Sequence, residues 1–190
     1  VERVSQEPSE LIKQLSTTLG EKELILVTGH RRENHGDGFI RICEALKEIA
    51  QDNTDRLIVY PVHLNPKVQE PVKRILTDVA NVLLIDPLAY QDFIWMMNRA
   101  KIIITDSGGV QEEAPSLGKP VLVMRDTTER PEAVDAGTVI LVGTNKELIV
   151  TEALDLLNNE TRFLQMSLLH NPYGDGKACK RIIDFIRHLA

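Results

Sequence analysis

Six short runs of aliphatic and β-branched residues alternate along the chain with stretches of helical spacing. The runs are residues 24–27, 57–60, 82–85, 102–105, 121–124 and 139–142. Runs this short and this apolar are typical of strands that are buried on both faces of a parallel sheet. The alternation of strand and helix implies right-handed crossovers. It therefore predicts an α/β fold with a doubly wound parallel sheet.

The stretches between the runs predict helices. The clearest covers residues 39–50, with Ile42, Leu46 and Ile49 on one side. Further predicted helices cover residues 9–19, 66–79, 92–100, 146–158 and 177–189, and one more runs from the glycine pair at 108–109 to residue 117. Pro71 and Pro115 interrupt two of these patterns, and we expect a kink or a break at each.

Length and composition limit the classes of protein to consider. The 190 residues are 43% hydrophobic and contain no repeat or Gly/Ser linker, so residues 1–190 are predicted to form a single domain. No run approaches the roughly 20 apolar residues of a membrane span, and the polar, acidic residues 1–10 do not resemble a signal peptide. Cys43 and Cys179 are too few for a disulfide framework. We therefore expect a cytoplasmic protein that does not contact a membrane.

Charge and ligand spacing narrow the partners further. The net charge of −6 argues against nucleic acid, because no basic excess is available to neutralise a phosphate backbone. An anionic ligand must instead meet a local group of cations, for which Arg31, Arg32 and Arg130 are the candidates. No spacing of the His-Glu-x-x-His or Cys-x-x-Cys kind occurs, so no metal site is expected.

The segment DSGGVQEE at residues 106–113 predicts a phosphate-binding turn. A helix that begins there leaves its first N–H groups without partners, and glycines allow an anion to approach the backbone closely. Ser107, Gly108 and Gly109 are therefore candidate phosphate ligands. Glu113 lies one turn further, roughly 6 Å along the axis, where its carboxylate can accept hydrogen bonds from ribose hydroxyls. The alternative is an ordinary strand-to-helix turn with a surface glutamate.

Two histidines follow other predicted strands, at the edge of the sheet where ligands bind in open parallel folds. His30 follows a glycine after the first strand, and it can donate a hydrogen bond to a phosphate or carry a compensating charge. His63 follows the second strand and allows the same interpretation. For both, the alternative is a loop histidine that is satisfied by a backbone carbonyl.

Arg130 and Phe93 complete the candidates. Arg130 precedes Pro131, which suits the first position of a short helix, and its guanidinium suits a phosphate or a sugar hydroxyl. The alternative is an exposed arginine that is paired with Glu129 or Glu132. Phe93 lies where a helix begins, and it either stacks on a base or belongs to the core.

Five motifs occur in the same order as in a known enzyme family. They are GHRREN (29–34), YPVHLNP (60–66), DSGGVQEE (106–113), TERPE (128–132) and NPYGDG (171–176). Together they resemble the C-terminal half of the bacterial, non-hydrolysing UDP-N-acetylglucosamine 2-epimerases, from about residue 24 to the end. Members of that family have two Rossmann-like domains in the glycosyltransferase-B arrangement. The resemblance implies that this chain is the second domain and that the first is absent.

The resemblance also implies roles for the residues of the first strand end and the glycine turn. His30 matches a histidine that contacts the diphosphate and is needed for full activity. Ser107, Gly108 and Gly109 match the phosphate-binding turn, and Glu113 matches the carboxylate that holds the ribose hydroxyls.

Four further positions take their roles from the resemblance. Phe93 matches a residue beside the uracil, and Arg130 matches one that reaches the nucleotide-sugar. Arg31 and His63 match positions that in some relatives hold a second UDP-N-acetylglucosamine, which acts as an allosteric activator.

The family's reaction interconverts UDP-N-acetylglucosamine and UDP-N-acetylmannosamine, and no cofactor is expected. UDP is eliminated to give a 2-acetamidoglucal and is then added back, with the C2 proton on the other face. The acid and base carboxylates of the family lie in the first domain. We therefore expect this chain to bind UDP weakly and to catalyse nothing alone. The full-length protein is expected to be a homodimer through the first domain.

Three alternatives remain open at this level. The chain can be the donor-binding half of a glycosyltransferase, although its GHRREN and TERPE motifs argue against that. It can be a nucleotide-sugar sensor without catalytic function. It can also belong to a hydrolysing 2-epimerase, which releases N-acetylmannosamine and UDP.

Overall fold

A six-stranded parallel sheet forms the centre of the computed structural model, which describes residues 9–52, 55–174 and 176–189. The strand order is β3-β2-β1-β4-β5-β6. The strands are β1 (Glu23–Thr28), β2 (Arg56–Pro61), β3 (Val82–Ile85), β4 (Ala100–Thr105), β5 (Val121–Val123) and β6 (Val139–Leu141). All six predicted strands are confirmed. The order is that of a Rossmann-like sheet.

Helices connect the strands and cover both faces of the sheet. They are α1 (Glu10–Leu19), α2 (Asp37–Asp52), α3 (Pro66–Leu76), α4 (Tyr90–Arg99), α5 (Gly108–Glu113), α6 (Pro131–Asp135), α7 (Lys146–Asn158), α8 (Glu160–Ser167) and α9 (Ala178–Leu189), with 3-10 turns at Arg32–Asn34 and Ala114–Leu117. No helix of the described residues is long and apolar enough to cross a membrane.

The central strand β1 shows how the two faces are filled. Ile25 and Val27 belong to one hydrophobic cluster with residues of α2, α3 and α7. Leu24 and Leu26 belong to a second cluster with residues of α1, α4 and α5. All four side chains are fully buried. The strand is apolar on both faces because each face packs against helices, which confirms the doubly wound arrangement.

The two prolines have different effects. The 3-10 turn Ala114–Leu117 replaces α-helix at Pro115, so the break predicted there is confirmed. In contrast, α3 runs through Pro71, and the possible break at this position is not observed. One proline removes only one N–H donor, and the buried face of α3, with Val68 and Val72, holds the helix against the sheet.

Helix α8 was not predicted from the sequence. The side chain of Asn159 caps it by accepting the N–H of Arg162 at 3.1 Å. The ammonium of Lys101 lies 3.9 Å from the ring centroid of Phe163 on this helix. The helix is thus supported by contacts with a strand that precedes it by more than fifty residues.

The strand order creates a crevice between β1 and β4. The chain leaves β1 for α2, which packs on one face, and leaves β4 for α5, which packs on the other. At such a switch point the two connections diverge and leave a space beyond the carboxyl ends of the strands. Thr28 and Thr105 are paired at this end, so the segments that follow them begin side by side.

Candidate functional site

The segment after β1 is held in place by a carboxylate that follows β4. Oδ2 of Asp106 accepts the backbone N–H groups of His30 at 2.9 Å and Arg31 at 2.8 Å. The side-chain amide of Asn34 donates to the same oxygen at 3.3 Å. Asp106 is fully buried. The carboxylate of Asp106 therefore holds the loop that follows β1 in position at the crevice.

The two candidate histidines lie together. Their rings are stacked, with centroids 5.3 Å apart and an interplanar angle of 18°. His63 accepts the N–H of Asn65 on Nδ1 at 3.1 Å, and Nδ1 of His30 lies 3.6 Å from Oδ1 of Asp106. No backbone carbonyl of the described residues thus accepts a hydrogen bond from either ring. The cleft around them has a volume of about 420 Å³ and is lined by His30, Arg31, Arg32, Glu33, His63 and Asn65.

The glycine turn begins α5 as predicted. Ser107 precedes the helix with an extended backbone (φ −84°, ψ 128°), and its side chain caps no N–H group. Neither Gly108 nor Gly109 has a positive φ. A Cβ added at either position would lie no closer than 3.9 Å to a neighbouring heavy atom. The packing of the described residues therefore does not require glycine here, which leaves a ligand as a reason for it.

The guanidinium of Arg31 lies beside this turn. Its Nη2 is 3.9 Å from the place that a Cβ of Gly108 would occupy. Its Nε is buried and has no hydrogen-bond partner, and no described residue forms an ion pair with it. A cation and the first N–H groups of a helix thus converge at one point, which favours the binding of an anion.

Glu113 and Phe93 lie on adjoining helices. Desolvation raises the pKa of Tyr90, at the start of α4, and the charge of the Glu113 carboxylate and a hydrogen bond to it raise this pKa further. Glu113 is therefore close to the end of α4 that carries Phe93. The Phe93 ring is partly buried and packs against the second hydrophobic cluster. One side of this ring therefore belongs to the core, which was the alternative to stacking on a base.

Arg130 is joined to α5. Its Nε forms an ion pair with Oε1 of Glu112, and its Nη1 donates to the carbonyl oxygen of Glu129 at 3.0 Å. The carboxylate partner is thus neither of the two neighbours considered from the sequence. Arg130 precedes α6, which begins with Pro131 as predicted. The ion pair thus holds the Arg130 guanidinium at Glu112, the residue that precedes Glu113 on α5.

Two positioning residues were not identified from the sequence. Asp106 received no role of its own within the DSGGVQEE segment, although its place directly after a buried strand was a usable signal. Asn171 was named only as part of the NPYGDG motif, but its side chain donates to the carbonyl oxygen of Glu112 at 3.0 Å and also contacts Ser116. Within that motif, Asp175 lies outside the described residues.

Comparison with known proteins decides the family. The family model described as UDP-N-acetylglucosamine 2-epimerase matches residues 1–187. The chain belongs to this family. The Escherichia coli K12 enzyme of that name is 64% identical over 168 residues, which are 88% of this chain and 45% of the relative. The Campylobacter jejuni enzyme is 55% identical and is covered to 50%. The chain spans about half the length of the curated epimerases it matches, and it corresponds to their C-terminal half.

Several solved structures show the same fold. The Neisseria meningitidis enzyme bound to UDP-GlcNAc superposes with a TM-score of 0.86 at 44% identity, covering 95% of this chain and 50% of that one. The Staphylococcus aureus MnaA–UDP structure gives 0.89 at 43% identity, with 96% and 49% covered. The wall teichoic acid polymerase TagF gives 0.55 at 17% identity, which is a likeness of fold alone.

Proposed function

We propose that this chain supplies the UDP-binding half of an enzyme that interconverts UDP-N-acetylglucosamine and UDP-N-acetylmannosamine by epimerisation at C2. The observation that carries the proposal is the convergence at the crevice of His30, the unpaired guanidinium of Arg31 and the start of α5 at Gly108. Relatives that share this fold were solved with UDP-GlcNAc or UDP bound.

The diphosphate belongs, in this proposal, at the glycine turn. Backbone N–H groups after Ser107, the guanidinium of Arg31 and the imidazole of His30 then surround its oxygens. In the elimination step a base removes the C2 proton, the bond between C1 and the phosphate oxygen breaks, and a 2-acetamidoglucal and UDP form. Charge grows on the departing phosphate, and donors that are already in place stabilise it most in the transition state. Re-addition reverses these steps with the proton on the other face.

The uridine then lies towards α4. In this proposal Glu113 accepts hydrogen bonds from the ribose hydroxyls, and the accessible side of Phe93 contacts the uracil. Arg130 reaches the nucleotide-sugar from the start of α6, where Glu112 restrains it. The second nucleotide-sugar that we propose for Arg31 and His63 would adjoin the first, because His63 stacks directly on His30. In this proposal the guanidinium of Arg31 lies between the two ligands and serves both.

The remaining parts of the enzyme lie outside this chain in our proposal. We propose that residues 1–190 form one UDP-binding domain, that the other half of the protein supplies the acid and base carboxylates, and that the full-length protein is a homodimer. Cys43 and Cys179 are both free thiols, which fits a reducing compartment such as the cytoplasm.

A calorimetric titration of this chain with UDP tests the binding role. We expect weak binding that falls in Glu113→Ala and His30→Ala and is unchanged in Glu44→Gln and His188→Ala, which alter exposed residues on α2 and α9. Equal affinity in all five proteins would contradict the proposed site. We also expect no turnover of UDP-N-acetylglucosamine by this chain, so measurable turnover would contradict the division of roles between the halves.

The product of the complete enzyme decides between the two kinds of 2-epimerase. A proton NMR time course on the full-length protein follows the anomeric signals of the sugar. Formation of UDP-N-acetylmannosamine supports the non-hydrolysing reaction. Accumulation of free N-acetylmannosamine and UDP would assign the chain to a hydrolysing enzyme.

A further inference from the structure

One buried carboxylate at the crevice has no role in the chemistry proposed above. Oδ2 of Asp106 accepts three hydrogen bonds, from the backbone of His30 and Arg31 and from the side chain of Asn34. Its Oδ1 is buried, has no hydrogen-bond partner and lies 3.6 Å from Nδ1 of His30. A buried carboxylate oxygen without a donor is unfavourable. The imidazole is the nearby group that can supply the donor.

We propose that Asp106 is a positioning residue that directs the protons of the His30 ring towards a bound diphosphate. This inference rests on the proposed function. With Asp106 ionised, neutral His30 holds its proton on Nδ1, which faces Oδ1, and Nε2 across the ring is left as the basic nitrogen of the cleft. When a diphosphate binds, Nε2 takes up a proton. The imidazolium then donates one N–H to a phosphate oxygen and the other to Asp106.

The other charged groups around the ring explain why the carboxylate matters. His63 stacks on His30, and because its Nδ1 accepts a backbone N–H, its own proton lies on Nε2. The remaining charged groups that line the cleft are Arg31, Arg32 and Glu33. The two arginines oppose a further positive charge, and Glu33 is already paired with Arg125 at 2.7 Å. Among the described carboxylates, Asp106 is thus the one that faces the His30 ring. A bound diphosphate adds a second anionic group beside this ring.

Asp106→Asn tests this arrangement in the ligand-free chain. The amide oxygen can accept the three hydrogen bonds of Oδ2, while the amide NH₂ takes the place of Oδ1 and donates to Nδ1 of His30. Long-range proton–nitrogen NMR at mildly alkaline pH reports the tautomer, and His30→Gln identifies the signal. We expect Nδ1–H in the unchanged chain and Nε2–H in the variant. The same tautomer in both overturns the proposal. If the variant does not fold, Nε2–H in the unchanged chain alone overturns it.

Titration with UDP then measures the uptake of a proton on binding. Calorimetry in buffers of different ionisation enthalpy should show proton uptake in the unchanged chain and less in Asp106→Asn, with UDP affinity lower by about tenfold. Uridine, which lacks the diphosphate, should bind both equally. Adding Asp106→Asn to His30→Gln should weaken UDP no further, since Asp106 acts through the ring.

The outcomes separate the two proposals. Equal proton uptake in both chains, or a further loss in the double variant, overturns the role of Asp106 and leaves UDP binding in place. Absence of UDP binding by the unchanged chain contradicts the proposed function, and the tautomer measurement still decides on Asp106.

Discussion

We predict that Gly108→Ala and Gly109→Ala leave the fold intact, raise its stability slightly and weaken UDP binding. Both glycines lie in the first turn of α5 without a positive φ. The nearest heavy atom to an added Cβ is Nη2 of Arg31 for Gly108 and Oγ of Ser107 for Gly109, each at 3.9 Å. Alanine restricts the unfolded chain, so each change should stabilise the protein by about 0.4–1 kcal/mol. That corresponds to a rise in melting temperature of roughly 1–4 °C.

The effect on binding has the opposite sign. A phosphate that accepts the first N–H groups of α5 must lie close to the Cα atoms of both glycines, where a methyl group would displace it. The loss of one hydrogen bond to a charged group costs about 1.5–3 kcal/mol, which is a decrease in UDP affinity of about tenfold to 150-fold. Thermal unfolding and calorimetric titration of the same samples measure the two effects separately.

Gly29→Ala is the matched control for this reasoning. A Cβ at Gly29 would lie 3.2 Å from Cε of Met124 and 3.2 Å from the hydroxyl of Tyr60. This change should therefore destabilise the fold by about 1–3 kcal/mol through overpacking. If Gly108→Ala and Gly109→Ala gain stability but bind UDP as the unchanged chain does, the glycine turn is not the phosphate site. A loss of stability in these two variants would refute the structural part of the argument.

Three other changes test single groups. Burial raises the pKa of the Cys43 thiol from 9.0 to about 12, so above pH 9.0 the folded chain retains a proton that the unfolded chain loses. The contribution of this thiol to the free energy of unfolding is fully present below pH 9.0. Above that pH it should fall by about 1.4 kcal/mol per pH unit. Urea unfolding of Cys43→Ala should show a smaller slope in that range, and an unchanged slope would contradict the assignment. Tyr60→Phe removes the hydroxyl that donates to the carbonyl oxygen of Gly29 at 3.1 Å and should lower the unfolding free energy by about 1 kcal/mol, measured as a lower urea midpoint; the same midpoint as the unchanged chain would refute this. Glu113→Ala should lower the affinity for UDP by about tenfold and the affinity for 2′-deoxy-UDP much less. Equal losses of affinity for the two ligands in calorimetry would argue against a ribose contact.

The fold was largely predictable because its strongest signal is local. All six strands are short and apolar, and β1, β2, β4 and β5 are largely buried on both faces, so the runs stand out without knowledge of their partners. Helix α8 was missed because its apolar spacing is weak and its support comes from Lys101, which is distant in the sequence. The break considered at Pro71 does not occur, since the packing of α3 on the sheet outweighs one lost N–H donor.

The site was predictable in its location but less so in its contacts. Open parallel sheets bind ligands beyond the carboxyl ends of their strands, so His30 and the glycine turn could be placed on one rim from the strand pattern. The hydrogen bonds of Asp106 join segments 75 and 76 residues apart. The pairing of Arg130 with Glu112 likewise crosses two loops, whereas the sequence suggested its immediate neighbours. Contacts of this kind have no local signature.

The pairing of charges at the crevice gives a physical reason for two halves in the proposed enzyme. In the described chain, the carboxylates around the crevice already have partners: Asp106 holds the loop after β1, Glu33 pairs with Arg125, Glu112 pairs with Arg130, and Glu113 contacts Tyr90. The cation of Arg31 has no such partner. This rim thus offers donors and positive charge to a departing diphosphate, whereas its carboxylates are already engaged within the chain. We therefore propose that carboxylates of the other half remove the C2 proton, which would make contact between the two halves a condition of catalysis.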